Sequence, residues 1–280
     1  MSEKYLGLIP YTGNKTELLP KLFELFPREG TYRRFVDAFC GGLSVALNAP
    51  CSNVLANDID WTLISMYRRL RCADALERAK ELIAEHGLNA TDKEAYLKFR
   101  DYHNNEGDDL SLYVLLMHSF SNMNRRNSNH EFNVHFGNRT INSSTVARFE
   151  HYQKNYRKIE FSCAKFHNLD INSSDFLYCD PPYLITDAAY NKYWSADHDK
   201  FLFAWLDFLN SRGVKWGLSN VTHHAGQKND VLIEWMQKYN VHNLNKRYLF
   251  GQHVDGFDGK STQEVYVCNY ENTFTLDDIG

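Results

Sequence analysis

The sequence predicts an α/β fold, a sheet with helices on both faces, interrupted by an inserted helical block. Three observations predict it. Short apolar runs alternate with longer amphipathic stretches, the pattern of strands joined by helices. The first run ends in a glycine pair, Gly41–Gly42, and the second ends in an acid, Asp58. From about residue 60 to residue 158 the alternation stops, leaving helical patterns and one polar, glycine-containing loop.

The elements follow in order. "KTELLPKLFELF" (15–26) has helical spacing of its apolar residues, and "RRFVDAFC" (33–40) and "NVLAND" (53–58) read as strands. "WTLISMYRRLRCADALERAKELIAEH" (61–86) reads as a helical stretch opening the strand-poor block, whose polar loop is "NRRNSNHEFNVHFGNRT" (124–140). Strands resume with "IEFSCAKF" (159–166) and "DFLYCD" (175–180). The helical "HDKFLFAWLDFLNSR" (198–212) and the strands "VKWGLSN" (214–220) and "QEVYVCNY" (263–270) complete the sheet. The expected organisation is a sheet domain from 1–60 and 159–280, with 61–158 inserted as a helical domain carrying its own surface function.

The totals narrow the class. With 43% hydrophobic and 24% charged residues, the 280-residue chain has an ordinary globular composition. No run approaches the 18 or so apolar residues of a membrane span, so no membrane partner is expected. The start "MSEKYLGLIPYTGNK" lacks an apolar signal core, which predicts a cytoplasmic protein. Six cysteines (40, 51, 72, 163, 179, 268) form no CxxC pair, and twelve histidines show no HxxxH or HExxH spacing. Reduced thiols and no metal are the expectation. Net charge is −4, yet Leu112–Lys158 holds seven basic residues against Glu131 and Glu150. That excess of five fits either a polyanion footprint or a solvated helix face.

"FVDAFCGGLSVAL" reads as strand, glycine turn and helix start. Glycines there allow a tight turn and a close approach of backbone N–H groups to a ligand. Asp58, at the next strand end, stands where such sheets accept hydrogen bonds from ribose hydroxyls. The string is not GxGxxG, which disfavours a dinucleotide. A ligand with adenosine but no pyrophosphate needs fewer glycines, which points to S-adenosyl-L-methionine (AdoMet). By itself the pair is equally a structural turn. Upstream, Lys15 could pair with a ligand carboxylate and Tyr11 could pack beside it, or the two could belong to a capped helix start with a surface lysine.

"FLYCDPPY" (176–183) delivers Asp180 at the carboxyl end of an apolar strand, where ligands of open α/β sheets bind. Pro181 and Pro182 fix the backbone and remove two N–H donors. An exocyclic purine amine is a poor nucleophile because its lone pair is delocalised into the ring. Two fixed acceptors, the Asp180 carboxylate and the Pro181 carbonyl, could take its two N–H bonds and turn the lone pair toward an incoming methyl group. Tyr183 adds a flat ring on which an extruded base could stack. The alternative is a strand ending in a proline turn.

Together, "PYTGNK", "FVDAFCGGLSVALN", "NVLANDID", "FSNMNR", "FGNRTIN" and "DFLYCDPPYLITDAAYNKYWS" closely resemble the Dam-type DNA adenine-N6 methyltransferases, particularly the T-even bacteriophage members, from about Ile9 to Tyr270. The order of motifs is that of the α group of amino-methyltransferases. The resemblance implies a Rossmann-like AdoMet-dependent methyltransferase sheet with an inserted target recognition domain. It implies AdoMet contacts at Tyr11, Lys15, Phe39, Gly41, Gly42, Asp58, Phe166 and Asp180, and a catalytic set of Asp180, Pro181 and Tyr183. It further implies duplex DNA as partner, with Phe120 and Met123 wedging beside the extruded base, Asn122 and Arg125 near the target, and Arg139 reading guanine. Phe120 and Met123 also fit helix core, as a continuation of "LYVLLMHSF". The implied product pair is N6-methyladenine, within GATC, and S-adenosyl-L-homocysteine, made without a metal by a monomer or weak dimer. Two departures touch the site: His135 stands where members often have proline, and Pro10 precedes Tyr11 where some place a DNA-touching lysine. Two rival readings are methylation of a protein amide or RNA adenine, and an inactive DNA-binding module that keeps AdoMet as a structural ligand.

Overall fold

A computed structural model describes residues 5–10, 14–186, 194–244 and 262–271. The chain has an α/β architecture that divides into two compact units, Met1–Glu17 with Phe39–Phe166, and Leu18–Ala38 with His167–Gly280.

The first unit is mainly helical. It contains α2 (Ser44–Asn48), β2 (Val54–Asn57), α3 (Trp61–Arg69), α4 (Ala75–Glu85), α5 (Lys93–Glu106), α6 (Asp109–His118), α7 (Ser143–Asn155) and β3 (Ile159–Ser162). β2 and β3 pair in parallel, Val54 opposite Ile159 and Asn57 opposite Ser162. Every residue of α6 from Leu110 to His118 is buried, as a helix apolar on all sides must be. Caps start the helices around it: Asp60 accepts from Thr62 N–H, Asp92 from Ala95 N–H, Asp108 from Leu110 and Ser111 N–H, and Asn142 from Thr145 N–H.

Where one helical stretch is expected at 61–86, the structure has two helices. Buried positions run Leu63, Ile64, Met66, Tyr67 and Leu70, then resume at Ala75, Leu76 and Ala79. The step from Leu70 to Ala75 is out of phase with a 3.6-residue turn, so a single helix could not bury both sets.

The second unit holds α1 (Leu19–Leu25), β1 (Arg34–Asp37), β4 (Asp175–Cys179), α8 (Ala196–Ser211), β5 (Lys215–His224), β6 (Gln227–Lys228), α9 (Asp230–Trp235), β7 (Asn240–Asn243) and β8 (Gln263–Cys268). Helix α1 begins four residues later than its pattern suggests because Pro20 occupies its first turn, where a missing N–H costs nothing. Strands β1, β4 and β5 run parallel in that order. β8 then pairs antiparallel with β5, and β7 antiparallel with β8. All five residues of β4 are buried, the apolar run Phe176–Cys179 as a strand covered on both faces requires, and Asp175 with an arginine for partner.

Two features hold β4 in register. Arg34 forks onto Asp175, Nε to Oδ1 at 3.1 Å and Nη2 to Oδ2 at 2.7 Å, across the pair that opens the β1–β4 ladder. In the middle, Phe26, Phe35, Phe176, Tyr178 and Tyr266 form one aromatic cluster, with Phe26 centred 5.0 Å from Phe176 and 5.3 Å from Tyr178. Gly217 on β5 leaves room for Tyr266: an added Cβ would lie 1.8 Å from its hydroxyl oxygen. That ring is fully buried, and its hydroxyl bonds to Tyr270 at 2.6 Å. Gly217→Ala is therefore expected to destabilise the protein by about 1–3 kcal/mol, measured as a lower urea midpoint with an unchanged slope.

Candidate active site

The residues singled out in the sequence fall into three clusters. The first surrounds the turn into α2. Cys40 N–H donates to Asn57 O (2.8 Å) and Leu43 N–H to Cys40 O (2.7 Å), closing the turn. Gly41 adopts φ +39° and Leu43 φ +63°, so a left-handed backbone is needed on both sides of Gly42. Gly41 N–H donates to Asp58 Oδ2 at 3.0 Å, and Asp60 N–H donates to Asp58 Oδ1 at 2.9 Å. The Tyr67 hydroxyl donates to Gly41 O. The N-terminal segment lies against this turn: a Cβ on Gly7 would sit 3.1 Å from Gly42 O, and Lys15, itself buried, donates its N–H to Ser44 Oγ at 3.2 Å.

Phe39 and Phe166 stack at 5.4 Å between ring centres, tilted by 36°. Asn57 fixes the segment before Phe166 by exchanging two hydrogen bonds with Ala164, at 3.0 and 2.9 Å. Lys15, Phe39, Gly41, Gly42, Asp58 and Phe166 thus share one unit, and Tyr11 lies outside the described residues.

Asp58 is the electrostatic centre of the cluster. Burial, with some help from the Asp60 charge, pushes its carboxyl up to about 6, against the lowering effect of the Asp60, Gly41 and Ile59 N–H groups. Each oxygen accepts one of the two backbone bonds and has lone-pair capacity for another donor. Paired ribose hydroxyls are donors of that kind, so these residues fit an adenosyl ligand.

The second cluster is the loop after α6, in the same unit. Phe120 is 55% exposed, which removes it from the helix core, and Met123 is half-buried. Between them Ser121 and Asn122 both have positive φ, +53° and +51°, a conformation costly for side-chain-bearing residues. Asn122 is 3% exposed. Its amide donates to Leu116 O (2.8 Å), and its Oδ1 accepts from Arg139 Nη1 (2.5 Å). Asn122 therefore lies beneath the loop and orients Arg139. Arg125 is bound inside the loop too, through Nε to Asn133 Oδ1 and Nη2 to Asn133 O, both at 2.9 Å.

The loop is also bolted to the start of α3. Asn124 donates to Asp60 Oδ2 (2.7 Å), while Asp60 Oδ1 caps α3, and Arg126 Nη2 donates to Thr62 Oγ1 (3.0 Å).

The third cluster lies in the second unit, at the carboxyl end of β4. Asp180 follows directly on Cys179, and Pro181 is buried. The Tyr183 hydroxyl stands 2.7 Å from Asp180 Oδ1 and 2.8 Å from Glu264 Oε1. Burial first, and then the charges of Asp180 and Glu264, push the phenol well above its ordinary value, so it stays protonated. Glu264 arrives here because β8 runs antiparallel: its second residue pairs with Val221, three places beyond the β5 residue opposite Cys179.

A family model described as D12 class N6 adenine-specific DNA methyltransferase matches residues 11–250. The chain belongs to this family. It is an AdoMet-dependent class, in keeping with the α/β fold and the adenosyl-compatible cluster at Asp58. Over 94% of its length the chain is 34% identical to the Type II methyltransferase M.FokI of Planomicrobium okeanokoites. Over 98% it is 33% identical to the modification methylase StsI of Streptococcus sanguinis. It spans only 42% and 45% of those two proteins. The DNA adenine methylase of Escherichia coli K12 is 27% identical over 68% of the chain and 69% of its own length.

Three contributors escaped the sequence reading: Glu264, Asp60 and Gly7. Glu264 sits at the start of an apolar strand, and the antiparallel direction of that strand brings it beside Tyr183. Asp60 carried a visible signal, as an acid two residues after Asp58 at a helix start.

A ribose held by Asp58 would give cofactor binding a pH signature. Below about 6 the free carboxyl takes a proton and becomes a weaker acceptor for ribose hydroxyls. AdoMet affinity measured by calorimetry is therefore expected to fall as pH drops below about 6, approaching tenfold per unit. A constant affinity down to about pH 5 would place the ribose elsewhere.

Proposed function

We propose that this chain transfers a methyl group from AdoMet to N6 of an adenine in duplex DNA, with the base turned out of the helix. The observation that carries this reading is Asp180, delivered at the end of a fully buried strand and followed by two prolines and a tyrosine bonded to it. Membership of the adenine-specific family supports it.

Lys15, Phe39, Gly41, Gly42, Asp58 and Phe166, with Tyr11 from the matching motif, form the cofactor set. Asp58 takes the ribose hydroxyls, the glycine turn admits the ligand's chain close to the backbone, and Lys15 pairs with its carboxylate. AdoMet supplies a methyl group made electrophilic by its sulfonium and leaves as S-adenosyl-L-homocysteine. Asp180 and the Pro181 carbonyl accept the two N6–H bonds, which localises the amine lone pair and stabilises the positive charge growing on nitrogen. N6 must then lose one proton, and Asp180 is the base already bonded to it. The Tyr183 ring stacks on the base.

Residues 61–158 act as the target recognition domain. Phe120, exposed at the tip of a strained turn, and Met123 are the wedge. Arg139, aimed by Asn122, reads guanine. Arg125, held by Asn133, shapes the loop and lends it positive charge beside the phosphates. The resemblance to Dam-type enzymes supports GATC as the target. A second reading, recognition of a modification methylase's own site, is favoured by the greater identity to M.FokI and StsI, over 94–98% of the chain, than to the E. coli DNA adenine methylase.

Methylation of an unmethylated plasmid, with every modified adenine mapped, tests both. N6-methyladenine confined to GATC is the expected result. Another single sequence would keep the reaction and replace the site, and transfer only to RNA or peptide would overturn the reading. In the same assay Asp180→Ala is expected to lose transfer while keeping most DNA affinity. Arg139→Ala is expected to relax one guanine by about 1–3 kcal/mol; a uniform loss over all sequences would make it a phosphate contact instead.

A further inference from the structure

We infer that Glu264 is a positioning residue for methyl transfer, drawing the hydrogen bond of the Tyr183 hydroxyl away from Asp180 when the adenine amine binds. This rests on the reading of Asp180 as an amine acceptor. The phenol lies between two carboxylates, 2.7 Å from Asp180 Oδ1 and 2.8 Å from Glu264 Oε1, and has one proton to give.

A hydroxyl that donates to Asp180 Oδ1 competes with substrate for the oxygen that must accept an N6–H. It also draws electron density from the carboxylate at the step where developing charge on nitrogen needs it most. Rotating the phenolic proton to Glu264 relieves both effects and keeps the ring where a base can stack. No bond to hydrogen is broken in this exchange; one hydrogen bond replaces another.

Glu264 is well placed to receive the proton without moving. Its backbone is fixed in the β8 ladder opposite Val221, and its carbonyl accepts Leu244 N–H at 2.9 Å. Burial and the two flanking charges keep the phenol protonated, so the hydroxyl acts as a donor throughout. Sequence separation hides the pair: Tyr183 and Glu264 are 81 residues apart.

The test is single-turnover methyl transfer to a duplex carrying the mapped site. Glu264→Ala is expected to slow transfer by roughly tenfold or more, with the affinities for DNA and AdoMet within about twofold of wild type. Glu264→Gln, which keeps an acceptor oxygen, is expected to recover part of the rate. The decisive comparison is the Tyr183→Phe background, which has no phenolic proton: there Glu264→Ala is expected to have no further effect. Equal losses in both backgrounds, or a wild-type rate for Glu264→Ala, would overturn the inference. Should the alanine variant fail to fold, the Glu264→Gln pair in the two backgrounds decides by the same comparison. An inactive wild-type chain would instead remove the proposed function, and this inference with it.

Discussion

A carboxylate at the end of a fully buried strand can serve as a fixed acceptor only if that strand cannot slide. In this protein the constraint is met from both ends of β4. The Arg34–Asp175 fork sets which residues face each other at the start of the strand, and a one-residue slip would turn every side chain of β4 over. Near the other end the Tyr178 hydroxyl bonds to Ser219 Oγ at 2.8 Å, tying β4 to β5 one residue before Cys179. Between these ties the aromatic cluster around Phe26 fills the volume beside the strand. Pro181 and Pro182 then prevent the chain from folding back into helix or ladder. Asp180 is thus fixed by packing and chain geometry before any ligand arrives, which is the condition for electrostatic preorganisation.

The antiparallel strand β8 adds a second constraint. In a purely parallel sheet every strand would present its carboxyl end on the Asp180 side, and side chains from strand starts would lie on the opposite edge. Reversing β8 brings the beginning of a strand to that edge, and with it Glu264. The spacing between β5 and β8 also explains Gly217, because the Tyr266 ring occupies the space its side chain would need. The same reversal therefore accounts for an acid beside Tyr183 and a glycine in the middle of β5.

Much of this was legible in the sequence. Six of the described strands begin and end within a few residues of their apolar runs, because each run is bounded by polar or turn-forming residues. Asp58 and Asp180 each follow directly on a strand, β2 and β4, and Gly41–Gly42 lie in the turn into α2. What was hidden depended on three-dimensional direction or on competition between neighbours. The break at Cys72–Asp74 is a phase slip with no glycine or proline to announce it. Asn122 and Arg125 look like surface polar residues in a polar loop, yet their side chains are spent within the protein, since a loop with positive φ at Ser121, Asn122, His130 and Asn138 has many backbone groups to satisfy. Glu264 could be placed only once strand order and direction were known.

The segment Asp58–Thr62 shows how densely such a fold can use a few residues. Asp58 accepts the N–H of Gly41 and of Asp60, so the glycine turn and the start of α3 are fixed to one carboxylate. Asp60 then divides its two oxygens, one capping α3 and one holding Asn124, while Thr62 takes Arg126. Asn124 and Arg126 flank Arg125 and follow directly on Met123. The acid proposed to hold the ribose is therefore two hydrogen bonds away from the loop proposed to enter DNA, through groups that are all rigidly bonded. Rotating Asp60 to serve the loop better would uncap the helix, and shifting the helix start would pull its N–H from Asp58. Each of these bonds shares a residue with the next, so one continuous chain of hydrogen bonds joins the proposed ribose acid to the loop proposed to enter DNA.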